Sequence, residues 1–203
     1  MLNQIRLNER HGADLQQRVF GHIPLAQADF DRLFRSMRLK HYGRKAFLLR
    51  AIERWDRLFF IQTGLIRLFY ANTEGKEFNK AFFGTGQCIW PVAPSDREQR
   101  VLFNVAALEK TAVLELPFAH LYETLQQVGL WEQFALPFAE GLVEQKFQRE
   151  HDFLLLDATA RFEKFARTYP HWVERIPDYH LASFLGMTNV SLSRIKKNAK
   201  ILT

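Results

Sequence analysis

The sequence predicts an α+β chain with three parts. These are an N-terminal antiparallel β-roll (a double-stranded β-helix), one long helix, and a C-terminal helical domain built on a helix-turn-helix. Three observations predict it. Short aromatic and β-branched runs crowd residues 45–116. Helical periodicity then dominates residues 130–156. Finally, Ala182 and Gly186 stand just ahead of Leu192 and Ile195, a spacing that suits two helices joined by a sharp turn.

Taken in order, residues 24–37 read as a short helix, because Phe30, Leu33, Phe34 and Met37 repeat at helical spacing behind Pro24. Strands are expected at 46–49, 58–61, 65–70, 78–83, 101–105 and 112–116. Thr63-Gly64 and the Asn72–Gly75 stretch supply tight turns between neighbours. Many short strands at this spacing point to a barrel or roll. Residues 118–127 form the next helix. The long helix carries two apolar stripes: Leu136, Ala139, Val143, Phe147 and Leu154 on one, and Phe138, Leu142, Phe153 and Leu156 on the other. One stripe can pack on the roll and the other against a second copy of the chain. Asp157 caps a further helix that stops before Pro170. The expected domains are 1–129, 130–157 and 158–203.

In the helix-turn-helix each residue has a steric task. Ala182 lets the second helix lie across the first. Gly186 takes the left-handed backbone that the turn needs. Leu181, Leu185, Met187, Leu192 and Ile195 pack the pair together. The second helix then presents Thr188, Asn189, Val190, Ser193, Arg194 and Lys197. Short polar groups near a helix start, followed by cations, suit a DNA major groove. Charge supports this reading. Eight Lys or Arg face three acids in residues 158–203, so +5 of the chain's +6 lies there.

Composition excludes other classes. The chain is 47% hydrophobic and 14% aromatic, enough for a packed core. Its single cysteine, Cys88, cannot build a disulfide or an iron–sulfur site. The first residues lack a signal-peptide core, and no apolar run can cross a bilayer, so a cytoplasmic protein without a membrane partner is expected. Residues 45–116 contain no histidine, which argues against a metal-dependent enzyme roll. His22, His41 and His120 are scattered and form no evident ligand pair. Neither a catalytic constellation nor a metal set is expected.

The order of roll, long helix and helix-turn-helix resembles the Crp/Fnr family of transcription regulators. Three segments carry the resemblance: Phe60-Ile-Gln-Thr-Gly-Leu-Ile-Arg-Leu-Phe-Tyr70, Glu74-Gly-Lys-Glu77, and residues 181–197 with Ser191-Leu-Ser-Arg194. The resemblance implies a homodimer on a two-fold-symmetric duplex, with RNA polymerase as a further partner. Its recognition-helix arginine matches Arg194, the first candidate for base contact. Thr188, Asn189, Ser191 and Ser193 lie beside it, and Lys196, Lys197 and Lys200 are candidates for phosphate. Members that bind cyclic nucleotides carry a Gly-Glu pair and then an arginine. Here Trp90-Pro91 and Val101 stand at those places, with Arg100 one residue out of register. No cyclic nucleotide cofactor is therefore expected. An effector site, lined by Phe82, Cys88, Trp90 and Arg100, is expected between the roll and the long helix. The family's β-hairpin wing does not fit into residues 198–203. A roll that binds ligand or protein, with a vestigial helix-turn-helix, is the alternative function.

Overall fold

The computed structural model describes residues 9–201. Two compact units divide them, the first of the described residues up to 67 with 82–141, the second of 68–81 with those from 142 on. The division falls inside the long helix, not at either of its ends.

The strands are β1 (Arg38–Tyr42), β2 (Phe47–Leu49), β3 (Arg57–Thr63), β4 (Leu65–Ala71), β5 (Glu77–Gly84), β6 (Cys88–Ile89), β7 (Asn104–Ala107) and β8 (Thr111–Pro117). They form two sheets, ordered β1-β8-β3-β6 and β2-β7-β4-β5. The numbering explains the shape. First pairs with eighth, second with seventh, third with sixth and fourth with fifth, so the strands form one long antiparallel ribbon. Rolling the ribbon sets β8 beside β3 and β7 beside β4, which is the expected β-roll.

Rolling needs corners, and Gly64 makes one. It alone joins β3 to β4, which lie in different sheets. Its φ is +107°, and a Cβ there would stand 2.4 Å from Thr111 Oγ1. Thr63-Gly64 is thus a sheet-switching corner. The expected tight turn between successive strands is present, and its left-handed kink, with no room for a side chain, redirects the chain out of its sheet. The Asn72–Gly75 turn is a true hairpin. Asn72 Oδ1 accepts from the Glu74 and Lys76 amides at 3.2 and 2.8 Å, and Gly75 takes φ +78°.

The expected strand at 101–105 begins later, at Asn104, and Val101 instead exchanges backbone hydrogen bonds with Ile52 and Glu53. Strand β1 was missed because it is a polar edge strand. It is held by buried Glu115 on β8, which accepts from Lys40 Nζ at 2.8 Å, Arg57 Nη1 at 2.9 Å and the Tyr42 hydroxyl.

The helices are α1 (Glu9–Leu15, continued by a π-helical turn, Gln16–Phe20), α2 (Gln27–Arg35), α3 (Pro94–Glu98), α4 (Phe118–Gln127), α5 (Trp131–Leu155), α6 (Ala158–Thr168), α7 (Asp178–Leu185) and α8 (Asn189–Ile201). Leu15, Phe20, Phe30, Leu33, Phe60, Trp90, Leu116, Leu121 and Phe134 form the core of the first unit, between α1, α2, α4, the start of α5 and the roll. Asp157 caps α6 as expected, accepting from the Ala160 amide at 2.8 Å.

Gly64→Ala is expected to cost about 2–4 kcal/mol, from a strained φ plus a backbone clash. Gly75→Ala, with nothing within 4 Å of its new Cβ, should cost only about 1 kcal/mol. Urea denaturation of both variants checks the ordering, and equal losses would contradict the corner assignment.

Candidate nucleic-acid interface

The interface is built from the end of α7 outward. A helix leaves its last carbonyls without partners, and here every one is answered. Gly186 adopts φ +65°, so the Met187 amide reaches the Ala182 carbonyl at 3.0 Å and the Gly186 amide reaches Ser183 at 3.3 Å. Arg149 of α5 donates from Nη2 to the Phe184 carbonyl at 3.0 Å. Arg161 of α6 donates from Nε to the Leu185 carbonyl at 2.9 Å. Two cations at a helix C-terminus also oppose its negative pole. A Cβ on Gly186 would stand 2.3 Å from the Phe153 ring, so the residue is needed for space as well as for φ.

Beyond the turn, Thr188 caps α8. Its Oγ1 accepts from the Ser191 amide at 3.1 Å and bonds the Ser191 hydroxyl at 2.8 Å. Leu181, Ala182, Leu185 and Leu192 are buried between the helices with Phe162, Phe165 and Ile176. Thr188, Asn189, Val190, Ser193, Arg194 and Lys197 are exposed, and Ser191 is half-buried. Thr188 and Ser191 thus spend part of their hydrogen-bonding capacity on the cap. Lys196 is half-buried and tied to the Asp178 carboxylate and to the Val173 carbonyl at 3.3 Å, so it fastens α8 to the start of α7. The side chain of Lys200 lies outside the described residues. Helix α8 continues through residues 198–201.

A second layer was not read from the sequence. The β4–β5 hairpin packs on α7 through polar contacts. Ser183 Oγ accepts from the Asn79 amide at 3.0 Å and donates to the Glu77 carbonyl at 3.2 Å. Buried His180 meets the Asn79 amide group at 3.3 Å through Nδ1. Arg149 also donates to the Lys80 carbonyl at 3.0 Å and packs over the rings of Phe184 and Phe153. Burial pulls its guanidinium below the ordinary value. Nothing in the spacing of Arg149 marks it, since its acceptors are backbone carbonyls far away in sequence.

The four expected effector residues do not gather at one cavity. Trp90, Val92, Arg97, Trp131, Glu132, Ala135, Leu136 and Ala139 line an open cavity of about 320 Å³ in the first unit. Of the four, only Trp90 contributes to it. Cys88 packs against the core, where burial pushes its thiol up to about 12. Arg100 is exposed and donates to the Ile52 carbonyl at 2.8 Å. Phe82 lies buried on β5. Among the described residues no helix is long and apolar enough to cross a membrane.

Arg149→Met keeps the length and apolar stem but removes the guanidinium that donates to the Phe184 and Lys80 carbonyls. It is expected to destabilise the second unit by about 1–3 kcal/mol. Chemical denaturation followed by Trp172 fluorescence, with the other tryptophans replaced by phenylalanine, reads the change. A loss below about 0.5 kcal/mol would show that this cap is dispensable.

Residues 39–128 match the cyclic nucleotide-binding domain family. No curated protein matches the chain in sequence. Among solved structures, a mutant of CooA from Carboxydothermus hydrogenoformans is similar at 17% identity and TM-score 0.68, over 98% of this chain and 88% of that one. The c-di-GMP responsive global regulator CLP of Xanthomonas campestris is similar at 14% identity and TM-score 0.61, over 87% and 92%. FixK2 of Bradyrhizobium japonicum is similar at 14% identity and TM-score 0.64, over 82% and 85%. At such identities the likeness is one of fold. Residues 39–128 thus resemble a cyclic nucleotide-binding domain, and the chain shares its fold with these solved structures.

Proposed function

We propose that the chain is a cytoplasmic DNA-binding transcription regulator, not an enzyme, that reads a two-fold-symmetric duplex as a homodimer. The observation that carries this reading is the outward face of α8. Arg194 and Lys197 are exposed there beside Asn189 and Ser193, on a helix whose approach is set by a fully capped turn. Arg194 donates to a guanine edge. Lys197 and Lys200 hold phosphates, while Thr188, Ser191 and Lys196 set the helix in place. The Asn189 and Val190 amides, open at the start of α8, are further phosphate donors. Residues 158–203 are the DNA-binding domain, 130–157 the dimerisation segment, and 1–129 a sensor or scaffold. RNA polymerase is the partner such a regulator would address.

The dimer reading rests on α5. Leu136, Val143, Phe147 and Leu154 recur on one helical face and are 57%, 49%, 63% and 76% exposed. The expected inward stripe is covered at Phe138, which packs on the core. An apolar face of this length, left open in one copy, suits a second α5. Phe147→Glu is expected to convert a dimer into a monomer in sedimentation velocity. A dimer unchanged by that substitution would place the contact elsewhere.

The roll does not carry the Gly-Glu and arginine pattern that holds a cyclic nucleotide, and Trp90 fills one of those places. That supports an effector other than cyclic nucleotide, or a scaffold. Selection of random duplex DNA by the purified protein tests the main reading. It should enrich a two-fold-symmetric motif. Arg194→Ala should lose about 1–3 kcal/mol of discrimination at one base pair per half-site. It should retain salt-sensitive non-specific binding. Specific affinity within twofold of the unaltered protein would show that the reading face is misassigned.

A further inference from the structure

The open cavity in the first unit has an unusual cation in its wall. The Arg97 guanidinium lies 5.6 Å from the ring centre of Trp90, 5.5 Å from Phe118 and 5.6 Å from Trp131. It donates from Nε to the Pro91 carbonyl at 2.8 Å and from Nη2 to the Val92 carbonyl at 2.6 Å. Those bonds fix the fork and leave Nη1 uncommitted among the described residues. No carboxylate comes within ion-pair distance of this guanidinium among them either, although Glu98 and Tyr122 act on it electrostatically. Burial outweighs them and draws its affinity for protons down. Around it the wall is apolar: Val92, Trp131, Ala135, Leu136 and Ala139.

We propose that this cavity binds a small planar organic monoanion: one or two fused rings bearing a carboxylate, paired with Arg97 and packed against Trp131 and the apolar face of α5. The charge of the occupant follows from Arg97. An organic cation would meet like charge at Arg97. An anion pairs directly with the guanidinium through Nη1 and leaves the ring contacts and both carbonyl bonds intact. Flatness follows from the wall, since rings pack well on an indole and on short aliphatic side chains. Glu132, exposed at the rim, disfavours a dianion more than a monoanion. A volume of about 320 Å³ sits at the small end of ligand pockets.

The site also offers a route to a response. Helix α3 buries none of its residues, and Arg97 is its hydrogen-bonded tie to the segment before it. A ligand on Arg97 therefore acts on α3 and on the first turns of α5 together. The inference rests on the sensor role proposed for residues 1–129, extends it to the first turns of α5, and does not depend on whether α8 reads DNA.

Calorimetric titration of the full chain with 2-naphthoate, in the absence of DNA, tests it. Saturable binding is expected. The neutral 2-naphthamide should bind at least about tenfold more weakly to the same unaltered protein, a comparison that needs no variant to fold. Val92→Trp, which fills the cavity from a half-buried position off the α5 dimer face, should abolish binding, and Arg97→Gln should weaken it about tenfold or more. The proposal is overturned by any of four results. These are no saturable binding of 2-naphthoate, equal affinity for the amide, affinity untouched by Val92→Trp, or preference for a naphthyl trimethylammonium cation.

Discussion

The capped end of α7 is the constraint on which the candidate interface depends. A helix that stops in a partly buried setting must find partners for its last carbonyls. Here the turn amides, Arg149 and Arg161 supply them. Because Arg149 comes from α5 and Arg161 from α6, satisfying those carbonyls fixes α7 against both. Because Arg149 also bonds Lys80, the β4–β5 hairpin is drawn into the same knot. The direction in which α8 leaves Gly186 is then determined by part-buried hydrogen bonds whose loss is costly. A reading helix needs that rigidity, since small tilts separate side chains from base edges.

The strands obey a different logic. Their nested pairs make a single ribbon, and the ribbon closes only where the chain can switch sheets. Gly64 is such a place, and Thr111 fills the space a side chain would need. Inside the first unit, aromatic residues do the filling. Trp90 stacks on Phe118 and meets Trp131, Phe134 and Phe138 edge-on or tilted. This packing takes up room near the start of α5, where Arg97 enters as the charged member of an otherwise apolar group.

Much of this was legible in the sequence, and the exceptions share a cause. The helices α4, α5 and α6 and the Asp157 cap follow from local periodicity and local capping chemistry, which act over a few residues. The turn at Gly186 follows from a steric rule tied to one residue. By contrast, β1 is polar because it lies at a sheet edge, and β6 spans only Cys88 and Ile89. Neither has an apolar alternation to read. The corner at Gly64 was legible as a tight turn but not as a sheet switch, because local turn chemistry is the same whether the next strand joins this sheet or the other. Of the candidate interface, the exposed α8 residues were legible from their spacing. Lys196 was not separable from Lys197 until its tie to Asp178 was seen. Arg149, Ser183 and Asn79 act on groups remote in sequence, and no local pattern announces such contacts. The effector residues failed to converge for the same reason, since Arg100 and Phe82 are placed by tertiary neighbours.

The most direct test of the central claim is hydrogen exchange of the full chain, free and with excess duplex DNA at low ionic strength. The first amides of α8 are the ones a phosphate would cover, and they exchange readily in the free protein because no carbonyl precedes them in the helix. The account predicts slowed exchange over residues 188–195, with the strands of the roll unchanged. Unaltered exchange across α8 in the presence of bound DNA would contradict it and move the interface to another surface.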